Sequence, residues 1–361
     1  MAEEKNSCAF RTSIGGQALI EGIMMRGPEK QAIVVRDQEG KLVEKVEDLK
    51  FIKDRYPILG VPLIRGTVNF LAAMVNGVKA LMYSADFYPE EEAAQPSKFE
   101  QWLEKYLSSK KLESAVVTLA VVLGVGMSVF LFMILPTFLT GGILHFFPGF
   151  PLWGRNLVEG ILKIAIFLLY LIVCSKQKDI YRVFQYHGAE HQTIHCYENG
   201  LELTPENCAS FETLHPRCGT SFLMFVMIIS LLLFSFLGWP NVWVRLLSRL
   251  VLIPVVAGLS YELLRWAGSS ESRVVKILSV PGLLLQKLTT KVPDKSMLGV
   301  AIVAVNVCLS KNEPAERIYD VDSQGNMIKR DDASGASEDG GAADDDAAAQ
   351  QPETAEKAGE H

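Results

Sequence analysis

At 361 residues the chain is long enough for several soluble domains, yet 49% of it is hydrophobic and its mean hydropathy is +0.20 despite a strongly polar C-terminal stretch. The apolar residues are therefore concentrated in the middle, which excludes an ordinary soluble globular chain. From residue 331 onward ten acidic residues stand against one lysine, so the formal net charge of −6 describes the tail and leaves about +3 for the body. That balance gives no indication of a nucleic-acid partner. The first residues, MAEEKNSCAF, lack the apolar run of a secretory signal. The six cysteines have irregular spacings unlike a disulfide framework.

In chain order, SIGGQALIEGIMMRGP carries glycines that suggest tight turns or close approach to another segment. The P-loop spacing is absent from it. Glu21 and Arg26 are read as surface or ion-pair residues. QAIVVRDQEGKLVEKVED reads as a β-hairpin with its turn at residues 37–40. Residues 59–83 are apolar but carry Arg65, Asn69, Asn76, Lys79 and Tyr83 in one narrow helical stripe. That stripe suits an interfacial or re-entrant helix, or equally an amphipathic helix on a soluble subdomain.

Four segments then have the length and apolarity of membrane spans, at residues 114–140, 157–174, 221–237 and 244–266. Lys105, Lys110 and Lys111 precede the first, Lys176, Lys178 and Arg182 follow the second, and Arg265, Arg273 and Lys276 follow the fourth. The positive-inside rule thus puts both termini and the 175–220 loop in the cytoplasm. His145 falls in the outer aromatic loop as an interfacial residue. After the fourth span, VVKILSVPGLLLQKLTTKVPD reads as an amphipathic surface segment broken at Pro281. SMLGVAIVAVNVCL is too short to span and reads as a packed cytoplasmic helix. Beyond Lys311 the composition predicts disorder.

The expected fold is mainly α: a polytopic membrane helical bundle of about four spans, with a small N-terminal β-hairpin region and amphipathic interfacial helices. The expected boundaries are 1–56 for the β-containing region, 57–112 for interfacial helices and linker, and 113–266 for the membrane domain with its 175–220 loop. Residues 267–310 are cytoplasmic helices and 311–361 an acidic tail.

The chemistry concentrates in YHGAEHQTIH, residues 186–195, which holds three of the six histidines. On a helix, His187, His191 and His195 stack along one face, with Glu190 beside them and Cys196 on the far side. Imidazoles at i and i+4 suit one zinc ion, and His187-x-x-Glu190-His191 matches the H-x-x-E-H pattern of the inverted zincins, in which the glutamate is the general base. LHPRCGTSF adds His215 and Cys218 at the spacing of a metal pair. Glu262, inside the fourth span, is a further candidate ligand, against a structural pairing with Arg265. Hydrogen-bonded histidines in a polar junction are the plainer alternative.

GGQALIEGIMMRGP, YHGAEHQTIHCYENG, LTPEN and LHPRCGTSF together resemble the YqhQ-like family of bacterial multi-pass membrane proteins, a domain-of-unknown-function family described as predicted metal-dependent enzymes. The resemblance covers about residues 12–310 and implies a bacterial inner-membrane protein. It carries over to His187, Glu190, His191, His215 and Cys218, and not to His195; it implies no substrate. Two functions follow as expectations. One is a metal-dependent hydrolase acting on a membrane protein, peptide or lipid, with zinc or another divalent ion on His187, His191 and a third ligand from Glu262, His215 or Cys218, and Glu190 as catalytic base. The other is a non-catalytic scaffold or accessory factor that helps assemble or insert other membrane proteins and docks a membrane complex. A transporter is weaker, since the spans carry few charges and no inverted repeat.

Overall fold

The computed structural model describes residues 10–49, 56–88, 109–147, 149–236, 242–270, 272–309, 316–321 and 327–329. Four strands come first: β1 (Gly15–Leu19), β2 (Gly22–Arg26), β3 (Lys30–Arg36) and β4 (Leu42–Asp48). The expected β3–β4 hairpin forms, with Gly40 at φ +84° and Asp37 Oδ1 accepting from Lys41 N at 2.8 Å. The glycine-rich stretch before it forms another hairpin, β1–β2. Its two-residue turn places Glu21 at φ +47°, and a Cβ on Gly22 would meet Val34 O at 2.5 Å. The sheet does not end there. β5 (Glu316–Val321) pairs with β4, and β6 (Met327–Lys329) with β5, completing a six-stranded antiparallel meander. These strands correct the expected disorder beyond Lys311, since ERIYDV has enough β-favouring residues to extend an existing edge. The acidic stretch 330–361 lies outside the described residues.

The helices are α1 (Ile64–Ala85), α2 (Ser109–Val129), α3 (Leu135–His145), α4 (Leu152–Cys174), α5 (Lys178–Glu198), α6 (Pro205–Ala209), α7 (Gly219–Ser235), α8 (Val242–Ser269), α9 (Arg273–Thr289) and α10 (Lys295–Leu309). A π-turn at Phe130–Ile134 joins α2 to α3, so His145 closes a helix rather than sitting in a loop. Among the described residues, three stretches are long and apolar enough to cross a membrane: Val121–His145, Leu152–Cys174 and Leu247–Ser269. α7, the third expected span, is a shorter apolar helix of 17 residues. α9 runs unbroken through Pro281, correcting the expected break there.

The sheet is covered on both faces. Ile23, Met25, Ala32, Val34 and Leu42 pack against α10 and against Tyr186, Ala189 and Ile194 of α5. Leu19, Met24, Ile33 and Val35 pack against Ala80 and Tyr83 of α1. α10 is thus the packed helix its short length implies. The sheet region therefore draws on residues from all five expected segments.

α1 links the sheet to the apolar helices. Its N-terminal half crosses α8, where a Cβ on Gly258 would meet Leu63 O at 2.5 Å and one on Gly66 would meet Gly258 Cα at 3.0 Å. Small residues let helices approach this closely. Much of the polar stripe faces protein. Arg65 Nε donates to Glu262 at 2.7 Å, Asn69 Nδ2 to Tyr261 Oη at 3.0 Å, and Tyr83 joins the sheet's core, while Lys79 stays exposed. Leu71, Met74, Val75, Val78, Leu81 and Met82 point outward. α1 thus keeps a largely apolar exposed face while Ala80 and Tyr83 pack on the sheet.

Candidate metal centre

α5 carries the histidines and lies in the core beside β1. Gly188 allows its close packing, since a Cβ there would meet Lys291 O at 2.0 Å. The apolar cluster around Tyr186, Ala189 and Ile194 anchors one face of the helix, and the histidines project from another. Cys218 caps the N-terminus of α7, its sulfur accepting from Thr220 N at 3.4 Å.

His187, His191 and Cys218 converge, with one ligand atom from each lying within 4.8 Å of the others. His187 Nδ1 is 2.8 Å from Thr289 O, and His191 Nδ1 is 2.5 Å from Thr213 O. A carbonyl oxygen only accepts, so each Nδ1 carries the hydrogen and each Nε2 presents a lone pair. His187 Nε2 is 3.2 Å from Cys218 Sγ. His191 Nε2 is buried with no hydrogen-bond partner among the described residues. Burial pushes the His191 pKa down, against the opposing pull of Cys218, so the ring is held neutral. A tetrahedral ion with bonds of about 2.0–2.3 Å spaces its ligands by roughly 3.3–3.8 Å, so small side-chain adjustments bring this set to bonding geometry.

Glu190 stands beside the group. Its Oε1 accepts from Gly16 N at 2.8 Å, and its Oε2 is buried with no hydrogen-bond partner among the described residues. Burial raises its pKa, against His187 and the Gly16 bond. Glu190, His191 and Cys218 line a cavity of about 560 Å³ that is also lined by Ser13–Gln17 and, from α1, Ala73 and Asn76.

The other expected site residues have different partners, although His215 lines the same cavity with its ring centroid 5.5 Å from that of His191. His195 Nε2 donates to Leu214 O at 2.9 Å, its lone pair facing away from that bond. His215 lies 3.9 Å from Glu198 through Nε2, and its Nδ1 accepts from Arg217 N at 3.3 Å. Burial lowers the His215 pKa to about 4, although Glu198 works against it. Glu262 pairs with Arg65 rather than Arg265, and is not part of the converging group. Cys196 is buried on the other side of α5, as the helical spacing requires. Sequence reasoning missed the partners that orient the rings, Thr213 and Thr289, because the acceptors are backbone carbonyls. It also left out Gly16, although the glycine pair signalled close approach.

Two comparisons identify relatives. A family described as "Protein of unknown function (DUF1385)" matches residues 61–311. The chain is 35% identical over 306 residues to "Uncharacterized protein YqhQ" of Bacillus subtilis (strain 168), covering 82% of this chain and 92% of that protein. No solved structure matches. With the family's pattern spanning most of its length, the chain belongs to the DUF1385 family of proteins of unknown function.

Proposed function

We propose that the protein is a metal-dependent hydrolase of the bacterial inner membrane, with its site on the cytoplasmic side. His187, His191 and Cys218 hold a divalent ion, zinc by the chemistry of the donor set. One observation carries this reading: two imidazoles, each fixed by a backbone carbonyl through Nδ1, turn their other nitrogens toward one thiol at the edge of a cavity. Three protein ligands beside an open space are the pattern of a catalytic rather than a structural zinc site. A Lewis acid in that position polarises a substrate carbonyl or a water.

Glu190 supplies the proton chemistry. The Gly16 N–H fixes one carboxylate oxygen, leaving Oε2 to take a proton from water in the cavity and return it to the leaving group. The dry wall around it keeps its proton affinity high enough for that transfer. Clusters of Lys and Arg beside the spans support cytoplasmic termini and a cytoplasmic site.

Elemental analysis of detergent-purified protein tests the centre. About one ion per chain is expected in the wild type, and strong loss in His191→Ala. Wild-type protein without stoichiometric metal overturns the reading. Glu190→Gln is expected to retain the metal and lower turnover by roughly 10²–10⁴-fold, the usual contribution of a positioned base. Unchanged turnover in Glu190→Gln removes Glu190 from that role.

A further inference from the structure

Part of the metal centre hangs on a loop. Residues 211–218, between α6 and α7, form neither helix nor strand, yet they supply Cys218 and the Thr213 carbonyl that orients His191. Backbone of this kind moves unless its polar groups are tied down. Gln286, fully buried in the last turn of α9, ties this one. Its Oε1 accepts from His215 N at 2.8 Å, and its Nε2 donates to His215 O at 2.8 Å and to Ser221 Oγ at 3.2 Å. A backbone N–H only donates and a carbonyl only accepts, so the amide takes one orientation. Its partners His215 and Ser221 flank Cys218 on either side, and Cys218 N donates to His215 O at 3.3 Å. The clasped residue and the thiol-bearing one thus share a turn. The helix end beyond Gln286 serves the histidines: Thr289 O orients His187, and Thr290 Oγ1 lies 3.4 Å from Thr213 Oγ1. α9 lies close against the first turn of α7, where a Cβ on Gly282 would meet Ser221 Oγ at 2.5 Å.

We infer that Gln286 is a positioning residue for the metal centre: its amide clasps the 211–218 loop to α9 and so sets Cys218 opposite His187 and His191. The inference deepens the metal-centre reading. It rests on that reading for what the thiol does, not for how the loop is held. An amide suits the task because it presents one donor and one acceptor side by side, as the backbone does. The bonds to His215 are buried, so an apolar group at this position strips the His215 N–H of its partner and the carbonyl of one of two. An unpaired buried N–H is costly, so the loop must turn to satisfy it, and Cys218 moves with the loop. Groups that orient ligands in this indirect way change metal affinity by roughly 10–100-fold when removed.

The test uses the full chain in detergent, with cobalt(II) as the probe ion and amide hydrogen exchange on metal-free protein. In the metal-free wild type the His215 N–H is expected to exchange as slowly as amides within α9, although it lies outside any helix or strand. Exchange there as fast as in an open loop overturns the inference without any variant. Gln286→Met keeps the volume and removes the clasp. It is expected to weaken cobalt(II) binding by roughly 10–100-fold, to lower the thiolate-to-cobalt charge-transfer absorption per bound ion, and to speed exchange at His215 by about tenfold or more. Should Gln286→Met not fold, Gln286→Asn takes its place with the same expectations, since its amide is too short to reach both groups of His215. Leu285→Ala is the control for plain instability, because Leu285 packs with Met224 and Met227 and makes no part of the clasp. It is expected to lower the melting temperature and leave cobalt(II) affinity and spectrum unchanged. Equal loss of affinity in the two variants at equal loss of Tm overturns the inference, as does unchanged binding in Gln286→Met. A wild type that binds no cobalt(II) removes the metal centre, and exchange alone then judges the clasp: slow in the wild type and fast in Gln286→Met upholds it, and any other pattern overturns it.

Discussion

α4 and α10 are both strongly apolar helices, yet they sit in opposite surroundings. α4 has 23 residues and exposes Ile161, Leu169, Tyr170 and Val173, while two of its polar residues, Asn156 and Glu159, are buried. α10 has 15 residues and buries Met297 through Val305 without interruption between the sheet and α5. The difference is first one of length. Fifteen residues rise about 22 Å, short of the roughly 30 Å of a bilayer's hydrocarbon core. It is also one of neighbours, since a covering sheet supplies α10 with what lipid supplies α4. Apolarity shows that a helix avoids water; length and partners show what it prefers instead.

Charge placed in each helix should break the two regions in different ways. Ala304→Asp puts an unpaired carboxylate in the α10 core and is expected to cost more than about 4 kcal/mol, abolishing the cooperative melt of the sheet region. Membrane insertion, read by glycosylation mapping, should be unchanged. Ile161→Asp is expected to cost about 2.5–3.5 kcal/mol in insertion of α4 by the same assay. If Ala304→Asp impaired insertion instead, α10 would be a span and the contrast would fail.

Gly188→Ala sharpens the comparison inside the sheet region. The new methyl would meet Lys291 O at 2.0 Å, so α5 must shift away from the segment that carries Thr289. A destabilisation of about 1–3 kcal/mol is expected by thermal melting, together with reduced metal content. A smaller effect concerns acid. Glu198 is buried, which alone would raise its pKa, but His215, the Thr12 N–H and Arg217 together hold it down to about 2. Its folded value lies below its unfolded one, so its contribution is complete above pH about 5 and is lost as pH falls toward 2. Glu198→Gln should therefore melt below the wild type at pH 7 and approach it at pH 3, where wild-type stability has already declined. Parallel melting curves across that range would remove the carboxylate from this role.

Much of the candidate site was legible because its spacing is local. His187 and His191 share a helical face whatever surrounds them, and the short apolar α10 could be recognised by counting. The β3–β4 hairpin was announced by its Asp-Gln-Glu-Gly turn. The β1–β2 hairpin was harder to see, because its turn places Glu21, not glycine or asparagine, at positive φ. Long-range pairings were beyond local reading. The partner of Glu262 is 197 residues away on α1, and the carbonyl that orients His187 is 102 residues downstream. Local spacing proposed Arg265 for Glu262 because it had no access to the α1–α8 crossing. Pro281 was read as a break, yet the surrounding helix tolerates it within α9.

The pairing of β4 with β5 joins Val43 to Ile318, across nearly the whole described chain. During synthesis the apolar helices therefore emerge, and can enter the bilayer, while the sheet still lacks α10 and its last two strands. The hydrophobic face of β1–β4 waits for a cover made almost last. Order of assembly is thus written into the topology: the membrane segment is committed first, and the region that frames His187 and His191 closes behind it.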